Sequence, residues 1–536
     1  MEVGGESDGM MRAPTRLIQV MSELKELWSM VLPITAMNLV IFVRSLISVF
    51  CLGRLGSLEL AGGALAIGFT NISGYSVLFG LAYGLEPVCS QAYGRKNWEL
   101  MTMSLHRMII ILLFACLPIG LIWLNISKIM LLAGQDRDIA ANAAAFCLYS
   151  LPNLLVHVFL QPIRVYLRSL GINKPMMYCA VATLILDVPL NFLLVFVLKL
   201  GVPGVAIAAE LGDLNMVLLL AGYLYFSKAT VFTWKGWPTV AVHKLWQLLA
   251  LAVPSCVGIC LEWWCYEIMT LLSGYLPDPK AAVATTAILM QTVNLCYTLS
   301  MSLGSCASTR VGIELGSGTS YNARLAAIVA LGCSVLFGIF NVIWMTVLSQ
   351  QWALIFTRDS SVLALAASAM PIMGFSQLGN GLQTTGCGVL RGMARPNISV
   401  GINLASFYAL GTPLAIALAF WLRLGYNGIW FGLLTAETAC SLSAMYVMIR
   451  TDWELESFRA KKLANTDVDH SCNIKELEII DLLADKDDIV DFRFCKYIRK
   501  ELRTGNEIRH KRPPSVSSGW KTANPIGGMV ISLPRF

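Results

Sequence analysis

The chain has 536 residues, 56% apolar and 14% charged, with a mean hydropathy of +0.65 and a formal net charge of +7. Soluble chains carry about 25% charged residues, so disorder, collagen, a secreted disulfide scaffold and a nucleic-acid binder are all excluded. The shortage is uneven: residues 455–536 hold 12 acids and 15 bases in 82 residues, whereas the preceding 454 residues hold 46 charges. The pattern predicts an all-α polytopic membrane protein followed by a charged tail.

Residues 1–27 are polar, without the apolar stretch or cleavage site of a secretory signal, and are expected to form a cytoplasmic N-terminal segment. Crossing the hydrocarbon takes about 20 apolar residues. Twelve such runs follow, at 28–52, 59–83, 106–125, 139–161, 176–198 and 203–226, then 247–273, 282–306, 324–347, 362–388, 401–421 and 427–449. They group into a first lobe (28–226), an interlobe linker (227–246) and a second lobe (247–450). The N-terminus and even-numbered loops hold 16 Lys and Arg residues against 7 in the opposite loops, which predicts both termini in the cytoplasm. The tail, residues 451–536, has nine acids between Asp467 and Asp491, then eight bases from Arg493 to Arg512. It reads as solvated and largely disordered, its blocks pairing with each other or its basic block touching anionic lipid. The 15 cysteines fall mostly inside apolar runs, where they act as small hydrophobes. No CxxC or Cys/His cluster suggests a metal, and no cofactor is expected.

The two halves echo each other. Gln161, Leu167-Arg168, Pro175, Leu198 and Gly201 recur as Gln383, Leu390-Arg391, Pro396, Leu422 and Gly425, at offsets of 222, 223, 221, 224 and 224. Gly94 and Gly316 add a pair at 222. An even number of spans per repeat gives both halves the same orientation, so a pseudo-two-fold axis along the membrane normal relates two six-helix lobes. Two bundles facing each other across a cavity are a transporter architecture.

Charge inside a membrane is costly and points to function. Glu262 and Glu267 lie in the seventh span, in Glu262-Trp-Trp-Cys-Tyr-Glu267. Five residues of helix is about 140° of rotation, so one carboxylate faces the cavity and the other a neighbouring helix. A carboxylate buried beside tryptophans holds a proton more readily than a solvated one, as a proton-coupled carrier requires. Asp187, beside the helix-breaking Pro189, is the first lobe's candidate, with Arg44 able to pair with it or with Glu86. Glu86, at the end of the second span, is expected to be half solvated. Glu210, Asp213 and Glu437 read as interhelical groups and His157 as a core histidine. Asn38, Asn71, Asn294, Asn380, Gln291 and Gln383 are candidate ligands for polar substrate groups. Trp263, Trp264, Tyr266, Phe69 and Tyr75 are candidate partners for an organic cation. Only one of the five histidines lies well within a span, so paired haem ligands are absent and no enzyme activity is expected.

These stretches resemble the multidrug and toxic compound extrusion (MATE) family, and its plant, DETOXIFICATION-type branch most. The resemblance is carried by Gly84-Leu-Glu86-Pro-Val-Cys-Ser-Gln91-Ala-Tyr-Gly94, Leu261-Glu262-Trp-Trp-Cys-Tyr-Glu267, Ser308-Thr-Arg310-Val-Gly312-Ile-Glu314-Leu-Gly316 and Leu390-Arg391-Gly392. It spans residues 28–453 and implies twelve helices in two lobes, alternating access and, for eukaryotic members, proton coupling through a seventh-helix glutamate that matches Glu262. The family tends to carry an acid in the tenth helix, where this chain has Asn380, and members usually end near Thr451-Asp-Trp453. The resulting expectation is a monomeric antiporter exporting small organic solutes, cations among them, for protons across the plasma membrane or a vacuolar or endosomal membrane. The alternative is a transporter-like sensor with little net pumping.

Overall fold

The computed structural model describes residues 16–132, 134–227 and 242–465. Expectations for residues 1–15, most of the linker and the tail beyond residue 465, including its two charge blocks, lie outside the described residues.

Among the described residues, eleven helices are long and apolar enough to cross a membrane. They are α1 (Arg16–Leu55), α2 (Leu58–Gly94), α3 (Trp98–Leu124), α5 (Lys174–Val197), α6 (Val202–Phe226), α7 (Lys244–Ser273), α8 (Pro279–Ser317), α9 (Ser320–Val347), α10 (Ser360–Gly392), α11 (Pro396–Trp421) and α12 (Tyr426–Arg450). The twelfth span, α4, is a pair, Arg137–Tyr149 and Leu151–Ser169, bent by 46°. Pro152 follows the break directly, where a residue lacking an N–H begins the second piece without losing a helical hydrogen bond. Polar side chains start several spans: Asn97 accepts from the Leu100 N–H at 3.1 Å, Asp278 from Ala281 at 3.3 Å and Asp359 from Ser361 at 2.9 Å.

Helices α1–α6 and α7–α12 form the two lobes. One apolar core around Leu52, Phe146 and Val205 belongs to the first, and one around Phe407, Trp430 and Met373 to the second. Two further cores cross between them, joining α2, α3 and α4 to α7, and α1, α5 and α6 to α8, α9 and α10.

The internal repeat is visible in the backbone. Lys199 and Gly201 adopt φ of 53° and 64°, and their counterparts Arg423 and Gly425 adopt 55° and 59°. Wide-turn segments recur at Phe192–Val197 and Ala417–Trp421, opening α5 and α11 at the same place. Near the pseudo-two-fold axis, residues touch their own counterparts. The Tyr83 hydroxyl lies 3.1 Å from Ser305 Oγ. A Cβ on Gly94 would stand 2.2 Å from the Ile313 carbonyl oxygen, and one on Gly316 2.2 Å from that of Gln91. Both obstacles are backbone and cannot swing away. Gly316→Val is therefore expected to destabilise the packed lobes by about 1–3 kcal/mol or more, read as a lower thermal midpoint in detergent. Gly332→Val, with open space around its Cβ, should leave that midpoint unchanged.

The first residues of the tail differ from expectation. Trp453–Asn465 form a docked helix, α13, rather than a solvated segment. Ala460, Ala464 and Glu456 share its buried face at helical spacing, a pattern that a count of charges overlooks. Asn97 Nδ2 donates to the Ala464 carbonyl at 2.9 Å, and Ser457 Oγ to that of Leu315 at 3.4 Å, so α13 touches both lobes. Glu456 pairs with Arg395 at 3.1 Å and Arg459 at 2.8 Å, yet burial pushes its carboxyl above the ordinary value.

Candidate functional site

The second lobe gathers two carboxylates. Glu262, on α7 and 5% exposed, accepts from Gln383 Nε2 at 3.1 Å and Asn380 Nδ2 at 3.5 Å, both on α10. Asn380 Nδ2 also reaches the Tyr266 hydroxyl at 3.2 Å. That hydroxyl donates to Glu437 on α12, whose second oxygen accepts from Ser376 Oγ. The chain Glu262–Asn380–Tyr266–Glu437–Ser376 is thus continuous. Among the described residues neither carboxylate has a Lys or Arg within ion-pair distance. Glu262 lines an interlobe cavity with Tyr297, Tyr83 and Arg391. Trp263 turns its Nε1 to the Tyr297 hydroxyl at 3.5 Å.

The first lobe holds the same arrangement with a different charge. Asp213 accepts from Arg44 Nη1 at 2.8 Å and Asn153 Nδ2 at 3.2 Å, and His157 Nε2 lies 3.2 Å from it. Arg44 also reaches Asp187 at 3.5 Å. Asp213 and Glu437 stand 224 positions apart, Arg44 and Tyr266 222, and Asn153 and Ser376, like His157 and Asn380, 223. These are the repeat offsets. Where the first lobe neutralises its acid with an arginine, the second offers a tyrosine, which can donate a hydrogen bond but carries no charge.

The sequence candidates divide accordingly. Glu262, Asn380, Gln383, Tyr266 and Trp263 come together. Asp187 is buried in its pair with Arg44 and lines neither interlobe cavity. Glu267 is exposed, as is Trp264 three residues earlier on α7. Asn71 and Asn294 are exposed as well. Asn38 bridges the lobes, donating to Ser302 Oγ at 3.0 Å. Glu437, read from sequence as an interhelical group, is fully buried at the centre of the site; the spacing to Asp213 is the signal that would have found it.

Glu86 corrects another expectation. It is fully buried rather than half solvated, because two arginines replace water around it. Arg168 Nη2 stands 2.9 Å from one oxygen and Arg391 Nε 2.7 Å from the other, with Thr309 Oγ1 at 3.3 Å. The two arginines are repeat counterparts from opposite lobes, and both guanidinium groups lie over the Tyr83 ring, at 5.5 and 4.2 Å. Gln91 Nε2 donates to the Gly392 carbonyl at 2.9 Å, and Arg310 clasps Glu23 and Glu26 of α1 at 2.7 and 2.8 Å. The lobes are therefore latched together at the end where α13 docks.

The family model described as MatE matches residues 33–193 and 254–417. Protein DETOXIFICATION 55 of Arabidopsis thaliana is 45% identical over 464 residues, 84% of this chain and 92% of its own length. Protein DETOXIFICATION 52 of the same plant is 44% identical over 452 residues, 84% and 89% of the two chains. The crystal structure of the eukaryotic MATE transporter AtDTX14 superimposes with a TM-score of 0.77 at 30% identity, covering 83% of this chain and 100% of its own. The Vibrio cholerae MATE transporter VcmN in its bent form shares the fold, with a TM-score of 0.71 at 18% identity over 84% and 99% of the chains. A polytopic helical chain built from two like lobes around a latched interlobe cavity, with relatives of this closeness, belongs to the MATE family of membrane transporters.

Proposed function

We propose that this transporter exports small organic solutes in exchange for protons by alternating access, with Glu262 and Glu437 as the proton acceptors. The observation that carries the reading is the contrast between lobes: the buried acid of the first has an arginine, and those of the second have none among the described residues. An ionised carboxylate in a membrane interior without a counter-ion is costly, so closing the second lobe favours its protonated form. Asn380 suits both states. Its Nδ2 donates to the ionised carboxylate, while its Oδ1 is buried without a donor. Rotation of the amide would turn that oxygen to accept from a protonated Glu262. Asn380 then supplies hydrogen bonds at the position where the resemblance implies an acid, and Glu437 supplies the second acid from α12.

Orientation follows from the Lys and Arg bias, which places the α13 end and both termini in the cytoplasm. The latch at Glu86 then closes the inner face, and the cavity presents Glu262 to the outer side, where protons enter. Gln383, Asn38 and Trp263 remain candidate contacts for solute. The proposed working unit is a monomer that makes and breaks no covalent bond, in the plasma membrane or a vacuolar or endosomal membrane. Each pH unit supplies about 1.4 kcal/mol per proton, and 100 mV about 2.3 kcal/mol per charge. One proton thus supports a solute gradient above tenfold.

The test is flux of a fluorescent organic solute from liposomes containing the full chain under an imposed pH gradient. Flux that collapses with a protonophore, and that falls strongly in Glu437→Gln, supports the reading. Flux indifferent to the gradient overturns the coupling.

A further inference from the structure

Arg164 stands on α4 one turn from Arg168 and lines a second interlobe cavity, on the first-lobe side. This cavity shares Phe79, Tyr83, Met301 and Ser305 with the cavity of Glu262. Two arginines and no acid line it. Arg168 is engaged by Glu86, but Arg164 has no carboxylate within ion-pair distance among the described residues. There its Nη2 meets the Met216 sulfur, at 3.2 Å, and its Nε is buried without a hydrogen-bond partner. The nearby Asp213 is already taken by Arg44, Asn153 and His157. At the repeat position of Arg164, offset 223, the second lobe has the neutral Cys387, which lines the other cavity.

We propose that the first-lobe cavity binds the anionic group, carboxylate or sulfonate, of an organic solute, with Arg164 as its counter-ion. The inference rests on the export reading and names the charge class of its cargo, anionic rather than cationic. A guanidinium with free donors is a fork that fits a planar or tetrahedral oxyanion. Gln161 and Asn38, in the same wall, can supply amide hydrogen bonds, and Phe79, Met37 and Met176 a face for the organic body. Methionine adapts its shape, so the body is read by size and polarity more than by outline. An unpaired arginine is costly to seal away from water. A bound anion removes that cost, so the loaded carrier closes more readily than the empty one.

The experiment uses two probes with one ring system and opposite permanent charge, naphthalene-2-sulfonate and 2-naphthyltrimethylammonium. Binding to the full-length protein in neutral detergent at pH 7 is measured by equilibrium dialysis. The sulfonate is expected to bind at least about tenfold tighter than the ammonium, since a hydrogen bond to a charged group contributes about 1.5–3 kcal/mol. Arg164→Gln should lose that preference, and Arg164→Lys, which keeps the charge but not the fork, should fall between. Equal affinities in the wild type, or an unchanged sulfonate affinity in a monodisperse Arg164→Gln, overturns the proposal. Should Arg164→Gln not fold, the wild-type comparison and Arg164→Lys decide. Arg164-dependent sulfonate binding without gradient-driven flux would keep the anion site and sink the export reading. Gradient-driven flux of the ammonium without sulfonate binding would do the reverse.

Discussion

Glu262→Gln is expected to reduce proton-driven efflux to the leak of protein-free vesicles while leaving the chain folded. The substitution keeps the volume of the side chain and loses only the site that exchanges a proton. Its new carboxamide can be satisfied with one amide rotation: the oxygen accepts from Gln383 Nε2, which already points there at 3.1 Å, and the NH2 donates to Asn380 once that amide turns its partnerless Oδ1 in place of Nδ2. Folding should therefore survive, and a lost signal in flux cannot be blamed on a broken lobe. The variant resembles a permanently protonated site, so it should still exchange labelled solute for unlabelled solute across the membrane. It should not accumulate solute against a gradient, since each proton no longer contributes its roughly 1.4 kcal/mol per pH unit. Size-exclusion profile, counterflow and gradient-driven flux, measured on one preparation, separate these properties. Accumulation equal to wild type would move coupling to Glu437 alone or to the exposed Glu267.

Much of this architecture is legible in the residues themselves. Hydropathy alone marks the spans, because a helix in lipid must be apolar over its whole length. The Leu198-Lys-Leu-Gly201 echo at Leu422-Arg-Leu-Gly425 marks the two lobes, because positive φ at Gly201 and Gly425 constrains the sequence locally. Asn380 and Gln383 are one helical turn apart, a spacing that puts both amides on the same face of α10, and both meet Glu262. What stays hidden is which polar residue of one helix meets which of another. Asn71, Asn294 and Glu267 have the composition of site residues yet are exposed and do not meet Glu262, since rotation about a helix axis is set by packing against neighbours. Glu437 and Tyr266 look unrelated until the repeat offset pairs them with Asp213 and Arg44. Arg164 is one arginine among the 40 Lys and Arg residues of the chain, and what distinguishes it is a buried Nε without a partner in the wall of a cavity. A missing partner is a property of three dimensions.

Glu86→Ala should open the end of the molecule that the latch now holds closed. Glu86 is the carboxylate between Arg168 of one lobe and Arg391 of the other, and all three side chains are wholly or largely withdrawn from solvent. Removing one partner of a buried ion pair costs about 3–5 kcal/mol, because the remaining charge keeps its desolvation penalty without compensation. Here two guanidinium groups are left facing each other over the Tyr83 ring, so repulsion adds to desolvation. The relief open to the protein is separation of the lobes, which lets water reach both arginines. A cost of this size shifts the closed-to-open ratio by on the order of a hundredfold or more. Hydrogen exchange should rise in the peptides around residues 83–97 and 308–318, whose backbones pack against each other at Gly94 and Gly316. Removing Arg391 as well, in Glu86→Ala with Arg391→Met, should restore part of the protection, since one orphaned charge and the interlobe repulsion disappear together. Exchange in Glu86→Ala equal to wild type would mean that Arg310, Gln91 and α13 hold the lobes without the latch, and that Glu86 serves the arginines rather than the closure.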